Sequence, residues 1–134
     1  RRYKKRQRIS DRKAIEVSKI VVIQYGNSFA KEYKKLAKKY NSLPNDLEKL
    51  IEQVKENPSL GTALGNNLFK IRLAVKSKQK GKSGGLRLIS HLQSEIIIQV
   101  EKSTVTFIVI FDKSEYANIS KQDLIDIALM EGLI

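Results

Sequence analysis

The sequence of 134 residues contains no cysteine, and His91 is its single histidine. Without cysteine there is no disulfide, no thiolate metal site and no cysteine nucleophile. With one histidine, a zinc site or a serine–histidine triad is not expected, so we predict neither a metal nor a cofactor. No apolar run approaches the roughly 18 residues of a membrane span, and no apolar segment follows the cationic start as in a signal peptide. These absences favour a cytoplasmic protein with no membrane partner.

Positive charge is abundant and unevenly distributed. The formal net charge is +12, of which residues 1–19 contribute +7 and residues 20–134 contribute +5. The first residue is not methionine, so we interpret residues 1–19 as a basic N-terminal arm or a remnant of protein expression, and assign no function to them. Residues 20–134 are the predicted domain. Its excess charge is concentrated in one segment, which suits an anionic partner.

That segment, residues 70–87, reads KIRLAVKSKQKGKSGGLR and contains seven cations and no acid. Lys70 and Arg72 lie two positions apart in a β-prone run, so in a strand they share one face. Arg87 opens a second such run. A hairpin would bring these three cations together on one sheet surface, as a site for polyphosphate and in particular RNA. The alternative is that alternating Lys and Arg only decorate a solvent-exposed face.

The lysines between the two runs are candidate RNA-binding residues: Lys76, Lys78, Lys80 and Lys82. Gly81-Lys82-Ser83 is not a nucleotide-binding P-loop, because Lys76 stands where that motif needs its first glycine and strands flank the loop.

Hydrophobic patterning predicts the order of elements. Strands are predicted at 20–25, 68–75, 86–92 and 104–111. Helices are predicted from Ser28, as a capping residue, to Tyr40, from Pro44 to residue 56, and from Ser120 to Met130, with residues 58–67 as loop. Ser120 and Asp123 form a predicted capping box, and the last helix, apolar nearly all round, should be buried in this fold or against a second chain.

The predicted fold class is α+β, with two layers. An antiparallel-rich twisted sheet packs on an N-terminal helical hairpin, a C-terminal helix follows, and the opposite face of the sheet remains for function. Residues 95–101, EIIIQVE, either extend the preceding strand through a bulge or form a separate strand, and we assign them no function.

The clustered cations suit RNA cleavage without a metal, by attack of a 2′-OH on the neighbouring phosphate. Arginine can grip the oxygens of the pentavalent phosphate, and clustered cations can lower a lysine pKa towards that of a base. His91, four residues beyond Arg87 and on the same strand face, is either a proton shuttle or structural. Lys113 and Tyr116 follow the last strand and belong either to an ordinary turn or to the rim of the basic sheet.

The segments LFKIRLAV, KSGGLRLI and FIVIFDKSEYANIS, with a final helix, resemble the RelE/ParE superfamily of bacterial toxins from toxin–antitoxin pairs. The resemblance extends from about residue 20 to the C-terminus and is closest to RelE/HigB-type members. It implies a metal-independent toxin that inhibits translation by cleaving mRNA in the ribosomal A site. It also implies an antitoxin partner, whose acidic or amphipathic segment covers the sheet or displaces the last helix, in a possible hetero-oligomer.

By motif position, Lys70 and Arg72 match the basic pair of the second strand in that family. Arg87 matches the arginine that supports the transition-state phosphate, and Lys113 matches a lysine after the last strand. Ser114 departs from the pattern, since RelE proper has another arginine there, and Tyr116 lies earlier than the late tyrosine of the family. Two alternatives therefore stay open, a ParE-like poison of DNA gyrase and a non-catalytic RNA-binding module.

Overall fold

The computed structural model describes residues 18–78, 85–114 and 119–134. The strands are β1 (Ser18–Tyr25), β2 (Thr62–Gly65), β3 (Leu68–Leu73), β4 (Leu86–Ile97) and β5 (Val100–Asp112). The helices are α1 (Asn27–Lys39), α2 (Leu43–Glu56) and α3 (Lys121–Met130), and a 3-10 turn covers Lys76–Lys78. No helix within the described ranges is both long and apolar enough to cross a membrane.

One five-stranded sheet has the strand order β1-β5-β4-β3-β2. β1 runs parallel to β5, and the remaining neighbours are antiparallel. A connection between parallel strands needs a crossover, and here α1 and α2 lie on the chain between β1 and the rest of the sheet. The predicted α+β class, with its helical hairpin and C-terminal helix, is confirmed.

The helical hairpin covers one face of the sheet. The apolar stripes of α1 and α2 pack on β3, β4 and β5 through residues that include Phe29, Leu36, Leu43, Leu47, Leu50, Val54, Ile71, Leu88 and Phe107. Phe29 lies at the centre of an aromatic group, with ring centroids 5.6 Å from Tyr25, 5.7 Å from Tyr33 and 5.5 Å from Phe107. Full burial of one such side chain stabilises the fold by about 1.5–3 kcal/mol.

The opposite face is covered in part by α3, which corrects the prediction that this whole face stays available. Leu124 and Ala128 of α3 pack with sheet residues, among them Leu68, Ile89, Val109 and Phe111. The capping box of Ser120 and Asp123 is confirmed. The fold does not bury α3 all round, since Leu129 is 51% exposed and Met130 is 86% exposed.

The predicted cap at Ser28 is wrong. α1 begins after Gly26, without a side-chain cap, and the backbone N–H of Ser28 instead donates to the carboxylate of Glu131 at 3.3 Å. A Cβ on Gly26 would lie 3.1 Å from Cδ of Glu131. Glycine at this position therefore lets an acidic group from the end of α3 approach the positive end of α1.

The prediction of loop across residues 58–67 is also wrong, because β2 forms there and pairs with β3. Asn66 and Asn67 have φ values of 55° and 61°, as in a two-residue hairpin turn with positive φ at both positions. The Asn-Asn pair was thus a hairpin signal and not a loop signal. β3 ends at Leu73, two residues before the predicted end.

Residues 95–97 extend the preceding strand and residues 100–101 begin the next one, so the alternative of a separate strand is wrong. β4 runs to Ile97, the chain turns at Ile98 and Gln99, and β5 begins at Val100. The irregularity in this ladder lies elsewhere, between Ile89 and Ser90. The result is a long hairpin that continues beyond the end of β3.

Candidate functional site

Strand register brings the three predicted cations to one face of the sheet. Arg72 lies directly opposite Arg87, and Lys70 lies opposite Ile89, two residues further along β4. Directly opposed residues of antiparallel strands share a face, as do residues two apart on one strand. Lys70, Arg72 and Arg87 therefore share the face that lies opposite the helical hairpin.

The three cations differ in exposure. Lys70 and Arg72 are exposed, whereas Arg87 is only 4% exposed. Arg87 is flanked by Arg72 on β3 and by Phe111 on β5, and Phe111 belongs to the cluster that packs against α3. Arg87 is thus on the predicted face but at the bottom of the site, and the exposed pair of β3 forms its rim.

Burial and a neighbouring cation both disfavour the positive charge on Arg87. Burial lowers its pKa, the positive charge of Arg72 lowers it further, and the carboxylate of Asp112 acts in the opposite direction. Its Nη1 donates a hydrogen bond to the Leu86 carbonyl at 3.3 Å. Arginine remains protonated nonetheless, so an anion bound between the two guanidinium groups would be favoured by both positive charges.

Asp112 joins three parts of the chain at the edge of this site. Its carboxylate pairs with Lys78 Nζ at 3.1 Å, and it accepts a hydrogen bond from the hydroxyl of Tyr40, at the end of α1, at 3.3 Å. It also accepts from the backbone N–H and the hydroxyl of Ser114, at 3.0 Å and 2.8 Å. Burial alone would raise the pKa of Asp112, but the bonds from Ser114 and Lys78 outweigh it and lower that pKa.

This network gives Ser114 a structural role directly after β5. The short hydroxyl side chain closes an Asp-x-Ser turn after β5, and such turns are a local alternative to regular structure. Sequence reasoning assigned no role at this site to Asp112 or Tyr40. The Asp-x-Ser spacing in FDKS was the available signal for the turn, but the ion pair depends on tertiary contact.

A second network anchors the 3-10 turn to α2. Ser42 Oγ donates to the Asp46 carboxylate at 2.6 Å and lies 2.8 Å from Ser77 Oγ. The backbone N–H groups of Ser77 and Lys76 donate to Ser42 Oγ at 2.8 Å and to Asp46 at 3.1 Å. The 3-10 turn is therefore anchored to α2 through Lys76 and Ser77 and to Asp112 through Lys78.

The remaining predicted residues are placed as follows. Lys76 and Lys113 are exposed, whereas Lys78 is 13% exposed in its side chain and engaged with Asp112, so its contact with RNA would require breaking that pair. Lys80, Lys82 and Tyr116 lie outside the described residues. Their roles stay predictions.

His91 shares the face of Arg87, as predicted, but it is 4% exposed and lies opposite Leu68 and Thr106. Its Nδ1 is buried with no hydrogen-bond partner among the described residues. Burial lowers the pKa of His91. His91 is thus as enclosed as Arg87, and its role, as a proton shuttle or as a structural residue, stays a prediction.

Other kinds of site receive less support. Residues 18–78, 85–114 and 119–134 include no group of three or more His, Cys, Asp or Glu side chains able to hold a metal ion. A groove of about 720 Å³ along α1 is lined by residues that include Tyr25, Tyr33, Lys34 and Lys38. It lies with the helical layer, away from the face of Arg87, so we place the candidate site on the cationic face.

Comparisons with known proteins identify the family of this chain. The family model described as the RelE toxin of the RelE / RelB toxin–antitoxin system matches residues 28–131, more than half of the chain. A solved structure of the toxin RelE from E. coli, a double arginine-to-alanine mutant in the free state, is similar with 21% identity and a TM-score of 0.47, over 72% of this chain and 86% of that one. A search of curated proteins finds no match. On the family match, this chain belongs to the RelE family of toxins from toxin–antitoxin systems.

Proposed function

We propose that this toxin is a cytoplasmic, metal-independent endoribonuclease that cleaves mRNA at the ribosome and so inhibits translation. The observation that carries the proposal is the register of β3 and β4, which places Arg72 directly opposite Arg87 with Lys70 beside them. Two guanidinium groups and one ammonium on one face form a fixed cationic site that matches a phosphodiester.

In the proposed reaction the 2′-OH attacks the adjacent phosphorus and the bond to the 5′-oxygen breaks. The products are a 2′,3′-cyclic phosphate and a 5′-hydroxyl, with one proton removed from the nucleophile and one delivered to the leaving oxygen. Arg87, at the bottom of the site, would bind the non-bridging oxygens as negative charge develops on them. Lys70 and Arg72, at the rim, would position the RNA, and Lys113 would assist at the end of β5.

The burial of Arg87 adds a requirement. With 4% of its surface exposed, Arg87 can contact a phosphate only if the neighbouring groups move aside. We infer that substrate binding opens this face and that the desolvated guanidinium then acts in a site of low dielectric, where electrostatic stabilisation is stronger.

Arg87→Ala tests the proposal. Loss of one such electrostatic stabiliser is expected to lower the cleavage rate by about 100- to 1,000-fold, so induced expression should no longer arrest growth. Arg87→Lys keeps the charge but loses the planar fork, and should retain part of the activity. Lys55→Ala, an exposed lysine of α2, removes the same charge away from the site and should remain fully toxic.

Mapping of transcript ends after induction separates the alternatives. New 5′-hydroxyl ends within codons support the nuclease. Intact transcripts with a DNA-damage response would assign the chain to gyrase poisoning, and RNA affinity that falls steeply with salt but leaves no cut product would indicate a binding module. Full toxicity of Arg87→Ala would contradict the assignment of this arginine.

A further inference from the structure

The hairpin of β4 and β5 extends past the end of β3, and β1 accompanies β5 to the tip, so only the β3 side of β4 is left unpaired there among the described residues. β4 pairs with β3 only from Leu86 to His91, and the last bond on that side is from the Leu92 N–H to the Asn67 carbonyl at 3.0 Å. Successive strand residues direct their backbone groups to opposite sides. Ser94 and Ile96 therefore point N–H and C=O groups outward, with no strand beside them in the described part of the chain. Such an edge is a template for another strand.

The tip of this hairpin is apolar and strained. Ile96, Ile97 and Ile98 are 68%, 52% and 91% exposed. Ile98 has φ of +56°, a conformation that is a true outlier for a β-branched residue and that a two-residue turn normally gives to Asn or Gly. An isoleucine here is unfavourable in an isolated chain, and contact with another molecule would offset its exposure to water.

The charges at the tip favour a second copy of this chain over an acidic or basic partner. Among the described residues of the tip, Lys19 lies opposite Glu101 and Glu95 lies opposite Lys102, so the charges of these paired strands cancel. The body of the chain is cationic, but repulsion between two copies decays over about 8 Å at physiological salt. A neutral, apolar edge with free backbone groups is complementary to itself, as a two-fold interface requires.

The side chains also select a register for such pairing. Two identical edges that meet antiparallel around Glu95 would place two carboxylates directly opposite each other, which is unfavourable. A two-fold axis at Ile96 places Ile96 opposite Ile96 and Glu95 opposite Ile97. This arrangement uses the outward backbone groups of Ile96 and joins the apolar tips.

We propose that the tip of the β4–β5 hairpin is a self-association surface, through which two copies of this chain pair β4 edge to β4 edge with Ile96 on the two-fold axis. This surface lies at the opposite end of β4 from Arg87, and the proposal goes beyond RNA cleavage and does not depend on it.

The absence of cysteine makes a direct test possible, since Ile96→Cys introduces a single thiol. Paired residues of this kind have Cα atoms about 5.5 Å apart, within the range of about 4.4–6.8 Å that a disulfide needs. Mild oxidation of the 134-residue variant should give a covalent dimer. Met130→Cys is the matched control, because Met130 is 86% exposed but lies on α3, and should form far less dimer.

Sedimentation of the unsubstituted chain should show a dimer at about 100 μM, well above the Kd of a micromolar contact, and the dimer should strengthen with added salt. Ile98→Lys should weaken it at least tenfold, while Met130→Lys should not, and circular dichroism should show both variants folded. A monomer at this concentration without cross-linking at Ile96, or a dimer that persists in Ile98→Lys, would overturn the proposal. Loss of antitoxin binding in Ile98→Lys with no self-association of the unsubstituted chain would instead assign the tip to the antitoxin.

Discussion

Removal of the Asp112 carboxylate should destabilise the fold strongly. The side chains of Lys78 and Asp112 are 13% and 6% exposed, so Asp112→Ala would remove the carboxylate from a pair whose ammonium group is nearly buried. Breaking a buried pair in this way costs roughly 3–5 kcal/mol. The residual exposure of Lys78 allows its flexible stem to turn towards water, which places the expected loss at the lower end, about 3 kcal/mol.

The assay is urea denaturation followed by circular dichroism, with the free energy of unfolding extrapolated to water. Asp126→Ala serves as control, because Asp126 is exposed and its carboxylate accepts only from Gln122, at 2.9 Å. That variant should change stability by less than about 0.5 kcal/mol. The double variant Lys78→Met with Asp112→Leu removes both charges and should be more stable than Asp112→Ala alone. A loss below about 1 kcal/mol in Asp112→Ala would refute the account of Asp112 as a buried link between the three segments.

Three further outcomes are expected. The folded pKa of Asp112 lies below its ordinary 3.8, so its contribution is complete above that pH and is lost as pH falls through the folded value, and Asp112→Asn should flatten this part of an acid-unfolding curve. The folded pKa of His91 lies below its ordinary 6.5, so the unfolded chain binds the proton more readily and the free energy of unfolding should fall as pH drops below 6.5. His91→Gln should remove this pH dependence. An NMR titration that gives the imidazole a pKa above 6.5 would contradict it. Gly85→Ala would place a Cβ 2.2 Å from the Leu73 carbonyl oxygen. Gly132 has nothing within 4 Å but a φ of +76°, so Gly132→Ala costs only the roughly 1–2 kcal/mol of a left-handed conformation. Thermal melts should show a clearly larger loss for Gly85→Ala, and a smaller loss than for Gly132→Ala would disprove the close approach of Gly85 to β3.

Local patterns predicted much of the architecture. The stripes of α1 and α2, the capping box of α3 and the central strand β5 follow from hydrophobic periodicity and from side chains that bond to their own backbone. The same local patterns predicted the wrong N-cap for α1 and did not predict β2. The group that meets Ser28 comes from Glu131, more than one hundred residues away, and a four-residue strand gives too short a pattern to be recognised without its partner.

The sequence predicted which cations form the candidate site but not their burial or their ion pairs. Alternation on β3 put Lys70 and Arg72 on one face, and a hairpin to Arg87 was the simplest topology. Arg87 and His91 are each 4% exposed, and this burial depends on tertiary packing that no spacing on β4 reveals. Lys78 was indistinguishable in the sequence from its neighbours, and only the fold assigns it to Asp112.

The sequence by itself determined which side chains share a strand face, since backbone geometry alternates them regardless of the surroundings. It also excluded thiol chemistry through its composition. The tertiary structure alone decided which of the described cations are buried, paired or exposed, and it ended β3 before the far part of β4. These properties depend on contacts between segments distant in the chain, where burial and the approach of opposite charges set the free energy of each group.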